Sequence, residues 1–251
     1  MLQACLNGRR PRGEHPAVPR TPGEPGGDHP AVPLTPEELA ADARRAVAAG
    51  AAELHVHPRA PGGRDTTEPG AAGATVRAIR TACPGVPLGF TTGLWTTDGD
   101  AELRHAHVEA WEDLPDYVSV NLAEPGSAEL CALMARRGVG VEAGVWNLAD
   151  AELLLERGLA PLRVLVETSD GGAEDPVAAA AEIDELLVAG GVSAPQLHHG
   201  AGSDAWEVLD AALARGRDVR IGLEDTTLMP DGRTARDNAE LVAEAARRMR
   251  A

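Results

Sequence analysis

Two histidines stand one residue apart in Glu53-Leu-His-Val-His57. In a strand, side chains alternate between faces, so His55 and His57 project from the same side. Two imidazoles one pleat apart can share a single metal ion. The third ligand must come from elsewhere in the chain, and Glu224 in Gly222-Leu-Glu-Asp225 is the best placed. A His₂Glu set is a three-ligand zinc pattern that leaves one position open for substrate. An open position means Lewis-acid chemistry, either a polarised carbonyl or an activated water. Asp225 is adjacent to Glu224. In extended geometry the two face opposite ways, which leaves Asp225 to act as a base or to hold Arg220.

Composition narrows that chemistry. The chain has 251 residues and contains no lysine, so its 23 basic residues are all arginine. A lysine Schiff base is therefore impossible, and any aldol-type or decarboxylative route must use a metal. The formal net charge of −16 disfavours nucleic acid. Four Trp, one Tyr and one Phe are too few for a base-stacking platform. No apolar run approaches the ~18 residues of a membrane span, and the charged start has no signal-peptide architecture. Cys5, Cys83 and Cys131 fit no disulfide or metal spacing. A reduced, cytoplasmic setting is expected.

The elements that must position these residues alternate along the chain. Strands are predicted at 2–6, 53–57, 87–90, 117–121, 140–145, 163–167, 195–198 and 218–223. Helical patterns follow at 36–49, 71–83, 100–113, 127–137, 149–157, 176–189, 204–215 and 234–250. Thr35-Pro-Glu-Glu38 marks a helix start, with Thr35 as N-cap and Glu38 closing a capping box. Eight strand–helix units in ~250 residues fit an α/β fold, a single (β/α)₈ TIM barrel spanning residues 1–251. A doubly wound sheet would carry a Gly-rich phosphate loop after its first strand, and none is present. Residues 15–28 align without gaps with 29–42, so 14–29 reads as a duplicated loop insertion. The second copy runs into the first helix and is expected to be the structural one.

A barrel places its active site at the C-terminal strand ends. Those ends offer Asn7, then His55 and His57, then Thr91, Thr92 and Gly93. They continue with Ser119 and Asn121, Glu142, Glu167 to Asp170, His198 and His199, and finally Arg220, Glu224 and Asp225. Polar groups thus converge on one rim from all eight strands, which a purely structural barrel has no reason to do. Asn7, Asn121 and Glu142 are expected to face substrate. For His198 and His199 a hydrogen bond to substrate or a cap before helix 7 is expected in preference to a fourth metal bond.

In this arrangement the chain resembles the β-keto acid cleavage enzymes, a family typified by 3-keto-5-aminohexanoate cleavage enzyme. The resemblance rests on His55-Val-His57-Pro-Arg59, Thr91-Thr92-Gly93, Val118-Ser119-Val120-Asn121, Val141-Glu142-Ala143-Gly144 and Val219-Arg-Ile-Gly-Leu-Glu-Asp225. The opening Leu6-Asn-Gly8 with Pro33-Leu-Thr-Pro-Glu-Glu38, and the tail from Pro230 to Val242, also match. The strand-8 segment joined to the histidine pair is the specific part. The resemblance implies a zinc TIM barrel in which a β-keto acid and acetyl-CoA give acetoacetate and a new acyl-CoA. It implies metal ligation by His55, His57 and Glu224, and a dyad of Asp225 with Arg220 that deprotonates the substrate. Thr91, Thr92, the Gly93 amide and Ser119 would hold the substrate carboxylate. Homo-oligomers are common in the family and are expected.

Three positions depart from the family pattern: Arg10, Ala60 and Gly144 stand where acidic residues are usual. An amino-bearing substrate wants a carboxylate partner, so a neutral or anionic side group is expected here. CoA is itself highly anionic, and the cluster Arg9, Arg10 and Arg12 is expected to meet its phosphates. Three rival readings remain open: an amidohydrolase-like hydrolase, a CoA-independent metal aldolase or decarboxylase, and a barrel that only binds metal. The first lacks its lysine and its middle-strand histidines.

Overall fold

The computed structural model describes residues 1–9, 29–168 and 173–250. Eight strands form a closed parallel barrel in sequence order, with β1 pairing β8 to shut it. The strands are β1 (Leu2–Cys5), β2 (Glu53–Val56), β3 (Leu88–Thr91), β4 (Tyr117–Asn121), β5 (Gly140–Val145), β6 (Arg163–Glu167), β7 (Gln196–His199) and β8 (Asp218–Ile221). The helices are α1 (Pro36–Ala49), α2 (Pro69–Ala82), α3 (Ala101–Glu109), α4 (Ser127–Arg137), α5 (Leu148–Arg157), α6 (Pro176–Ala189), α7 (Ala205–Ala214) and α8 (Asn238–Arg248). A short 3₁₀ turn, Leu94–Thr97, follows β3. No helix among the described residues is long and apolar enough to cross a membrane.

Strand alternation sorts the side chains. On β2, Leu54 and Val56 enter the apolar layer under the helices, as do Val118 and Val120 on β4 and Val164 and Val166 on β6. The intervening residues turn into the barrel. With so few aromatics, Ala, Val and Leu fill that apolar layer, and Phe90 against Trp111 is its one edge-to-face aromatic pair among the described residues. Thr35 caps α1 in the expected box: its side chain accepts from the Glu38 amide, and the Glu38 carboxylate accepts from Thr35 in return. His29, Val32 and Leu34 of the second repeat copy pack into the fold, and His29 Nε2 meets the Ala235 carbonyl at 2.9 Å. Residues 15–28, the first copy, lie outside the described residues.

A second polar layer lies inside the barrel. Glu142 shares a face with the rim residues but not their height. Its carboxylate accepts from Gln3 Nε2 at 2.6 Å and pairs with Arg163 Nε at 2.8 Å. Gln3 and Arg163 lie near the starts of their strands, so Glu142 belongs to a polar layer beneath the mouth. Tyr117 completes it, accepting from Gln3 at 3.0 Å and donating to the Leu54 carbonyl at 2.8 Å. Burial lifts the Glu142 carboxyl to about 7 against the pull of Arg163. Glu142 is thus bound into the core by Gln3 and Arg163.

Candidate active site

β2 ends with both imidazoles buried and pointing into the mouth, their rings 5.3 Å apart and nearly perpendicular. Each is held differently. His57 is fixed at backbone and ring. The Asn7 side chain accepts from the His57 amide and donates to the His57 carbonyl, both at 2.9 Å. Asn7 thus clamps the end of strand 2. His57 Nδ1 meets Asp65 Oδ2 at 2.8 Å. Asp65 is buried beside Arg59 Nη1 at 2.8 Å and accepts from Trp95 Nε1 at 3.2 Å. Burial alone would raise the Asp65 carboxyl, but Arg59 and His57 hold it below the usual range. A carboxylate behind a histidine fixes the tautomer and turns the other nitrogen toward a metal. Here that nitrogen, His57 Nε2, lies 3.3 Å from Glu224 Oε1.

Glu224 arrives by a turn, not by an extended strand. After β8 the chain folds back, with the Asp225 and Thr226 amides both donating to the Gly222 carbonyl, at 2.9 and 3.0 Å. The expectation that Glu224 and Asp225 face opposite ways is overturned. Arg220 reaches both: its Nη2 bonds Glu224, and also Asp225 Oδ1 at 2.9 Å. Asn238, at the start of α8, locks the turn by accepting from the Leu223 amide at 2.7 Å and donating to the Leu6 carbonyl at 2.7 Å. Gly8 closes over Glu224 in the left-handed region, φ 52°. A Cβ there would lie 2.2 Å from Glu224 Cγ, so only glycine leaves the carboxylate in place.

The donor set suits one metal ion. Ligand atoms of His55, His57 and Glu224 all lie within 4.8 Å of one another. Bonds of ~2.0–2.2 Å to a central ion require such a cluster. His55 Nε2 is 3.8 Å from Glu224 Oε2, completing the triangle. Burial would raise the Glu224 carboxyl, but Arg220 and the two histidines hold it well below the usual range, so it is anionic.

Protonation in the metal-free protein carries a prediction. Burial lowers His55 to about 3, whereas Glu224 and Asp65 outweigh burial at His57 and push it up to about 9. At neutral pH the metal-free site holds one proton, on His57, and an incoming ion must displace it. Metal affinity should therefore tighten about tenfold per pH unit through neutrality and level off above pH ~9. Titration against a competing chelator at several pH values reads this directly, and a pH-independent affinity below 9 would contradict it. Asp65→Asn should weaken metal binding by about 10- to 100-fold by loosening His57. Unchanged affinity in the same titration would mean that Asp65 only packs.

The remaining expected residues divide. Thr91 and Ser119 are register partners facing the interior, beside the metal cluster's strands. The Thr91 hydroxyl accepts from the Gly93 amide at 3.2 Å, so threonine and amide form one unit at the β3 exit. Thr92 donates to the Ser119 carbonyl at 2.6 Å and is engaged in the wall. Asn121 faces the mouth and donates to Glu124 at 2.9 Å. Arg9 lies 5.2 Å over the Trp95 ring, which stacks in turn on His57. Arg10 and Arg12, like Ser169 and Asp170, lie outside the described residues.

Sequence reasoning missed two neighbours, Asp65 and Cys5, and gave two others, His199 and Glu167, no role toward Asp225. Asp65 sits in a Gly- and Pro-rich loop whose path no periodicity reveals. Cys5 donates its thiol to Asp225 Oδ2 at 2.6 Å, and burial pushes that thiol well above its usual range. His199 lies between Asp225 and Glu167, with Nδ1 3.3 Å from Asp225 Oδ1 and Nε2 3.2 Å from Glu167 Oε2. The only signal for this pair was position, since both stand at strand ends.

The family model described as beta-keto acid cleavage enzyme matches residues 24–251, so it takes in the whole second repeat copy. Among solved structures, the binary complex of ObcA with oxaloacetate superposes with a TM-score of 0.71 at 20% identity, covering 88% of this chain and 64% of that chain. The ternary complex of ObcA with C4-CoA adduct and oxalate gives the same figures: 0.71, 20%, 88% and 64%. This chain therefore spans 64% of the length of those ObcA chains. The tryptophan synthase alpha subunit from Legionella pneumophila str. Paris shares the fold alone, with a TM-score of 0.61 at 10% identity over 100% of this chain and 92% of its own. No curated protein matches the sequence significantly.

Proposed function

The chain belongs to the beta-keto acid cleavage enzyme family, and from that premise we propose that it transfers the acyl part of a β-keto acid to CoA. Acetyl-CoA would be the co-substrate, and acetoacetate and a new acyl-CoA the products. The observation that carries the reading is the convergence of His55, His57 and Glu224 with the Arg220–Asp225 pair at one end of the barrel. ObcA, the structural neighbour, has been captured with oxaloacetate and with a C4-CoA adduct, which supports both substrate classes.

A divalent ion such as zinc, held by His55, His57 and Glu224, would supply Lewis acidity to both carbonyl oxygens, bringing the carbon between them within reach of a carboxylate base. Asp225 fits that base. Burial would raise its carboxyl, but Arg220 and His199 hold it below the usual range, so it waits ionised. Asp225 takes the proton from the carbon between the carbonyls. The carbanion attacks the thioester of acetyl-CoA and expels the CoA thiolate, forming a new carbon–carbon bond. The thiolate then attacks the original ketone, and the bond between that ketone and the acidic carbon breaks. The departing acetoacetate carbanion recovers the proton from Asp225, so the enzyme ends as it began. Thr91, the Gly93 amide and Ser119 would orient the substrate carboxylate at the β3–β4 exits.

Substrate choice follows from the far side of the mouth. A side chain at Gly144 would begin 2.7 Å from Asn121 Oδ1 and 3.3 Å from Glu167 Oε1. Glu167 thus stands beside the place of the missing strand-5 acid. One of its oxygens accepts from Trp146 Nε1 at 3.2 Å, and the other faces His199 Nε2 at ion-pair distance, also 3.2 Å. A neutral or anionic side group is therefore proposed. A panel of amino-bearing, neutral and anionic β-keto acids tests it, with and without acetyl-CoA, scored for acetoacetate by mass spectrometry. Turnover without acetyl-CoA would replace the reading with a CoA-independent lyase.

For CoA, Arg9 at the mouth with Arg10 and Arg12 would meet the phosphates against the strongly negative chain. Reversing charge at Arg9 and Arg12 together should raise the acetyl-CoA KM by about tenfold while sparing kcat. An unchanged KM would remove the arginine cluster from the reading.

A further inference from the structure

His199 and Glu167 are register partners at adjacent strand ends, both facing the interior. His199 is 3% exposed. Its two ring nitrogens face two carboxylates, Asp225 on β8's turn and Glu167 on β6. Glu167 is anchored on its other oxygen by the Trp146 indole. Asp225 receives Arg220 Nε and Nη2 on the same Oδ1 that faces His199, and the Cys5 thiol on Oδ2. The proposed base is therefore approached from β1, β7 and β8 at once.

We propose that His199 is a positioning residue that fixes Asp225 in its reactive orientation, with Glu167 holding His199 in turn. The inference rests on the reading of Asp225 as the base. It follows from the count of donors. Each ring nitrogen lies within ion-pair distance of one carboxylate, 3.3 Å from Asp225 and 3.2 Å from Glu167, and only a doubly protonated ring presents an N–H to both. Burial and Arg220 press His199 downward, but Asp225 and Glu167 reverse them and push it up to about 10. His199 stands apart from the metal cluster, whose donors are His55, His57 and Glu224. Glu167, with one oxygen bonded by Trp146 and the other facing His199, has its place in the same support. His198, one residue earlier, points the other way to Gln196 Oε1 at 3.0 Å and has no part in it.

A displacement of about 1 Å in a reacting group can cost about 100-fold in rate. Three variants of the zinc-loaded enzyme separate positioning from mere packing: His199→Leu, His199→Gln and Glu167→Gln. With acetyl-CoA and the best β-keto acid of the panel, His199→Leu should lower kcat about 100-fold. Its KM values and zinc content should stay at wild-type levels. His199→Gln keeps one amide donor for a carboxylate and should recover about tenfold of that loss, with Glu167→Gln between the two. A crystal structure of His199→Leu should show the Asp225 carboxylate turned away from Cys5. Wild-type kcat in His199→Leu overturns the inference, and so does a loss shared equally by kcat and zinc content. If the wild-type enzyme forms no acetoacetate, the proposed function fails, and the crystal structure still decides positioning: Asp225 unmoved in His199→Leu overturns it.

Discussion

His57→Ala should lose about a thousandfold in kcat/KM and should fail to retain stoichiometric metal. The magnitude corresponds to about 4 kcal/mol of transition-state stabilisation, the scale on which a Lewis acid acts on developing negative charge. The loss follows from geometry, because His57 is the most heavily supported of the three donors. Asn7 fixes its backbone, and Asp65 fixes its ring. Removing it leaves His55 and Glu224, two donors where three protein ligands are needed. The variant should still fold, since the ring packs at the mouth and not in the apolar layer beneath the helices. Metal analysis beside steady-state kinetics checks the prediction. Full metal content with full activity would remove His57 from the site, and treatment of the wild type with a strong chelator should reproduce the variant's defect.

Asp225→Asn should do comparable damage for the opposite reason. Metal content should stay intact while kcat falls by about a thousandfold, within the range that general-base catalysis contributes. The amide preserves shape but cannot accept a proton, and its NH₂ must face donors that now point at a carboxylate. Arg220 would keep its bond to Glu224. The two variants therefore dissect the site: one loses the ion, the other keeps it and loses proton transfer. Asp225→Asn with wild-type kcat would assign the base elsewhere, whereas joint loss of metal and activity would make Asp225 a support for Glu224.

Much of this arrangement was legible before any coordinates. The alternation of apolar runs with Ala- and Leu-rich stretches is the barrel itself, because each strand must bury one face under a helix. Face parity placed His55 and His57 together. It could not give height. Glu142 has the same parity as the rim residues, yet it lies a layer lower with Gln3 and Arg163. Turn geometry was equally hidden. Glu224 and Asp225 alternate only while the chain stays extended, and the fold-back at Gly222 brings both within reach of Arg220. Asp65 is out of sight for a third reason. A loop residue is positioned by its own partners, here Arg59 and Trp95, and not by any period of the chain.

The sequence departures gain physical content from the same contacts. Gly144 leaves a space that both Asn121 and Glu167 border. The Glu167 carboxylate that stands there accepts from the Trp146 indole and faces His199.

The central claim is that the carbon–carbon bond is exchanged with the acetyl group of acetyl-CoA at the His55–His57–Glu224 site. Its most direct test follows the label from [1,2-¹³C]acetyl-CoA through one turnover of the zinc-loaded enzyme with a β-keto acid other than acetoacetate. The account predicts acetoacetate carrying both labelled carbons at its keto end, an unlabelled new acyl-CoA, and neither product with His57→Ala. Unlabelled acetoacetate, label in the new acyl-CoA, or equal turnover by His57→Ala would contradict it.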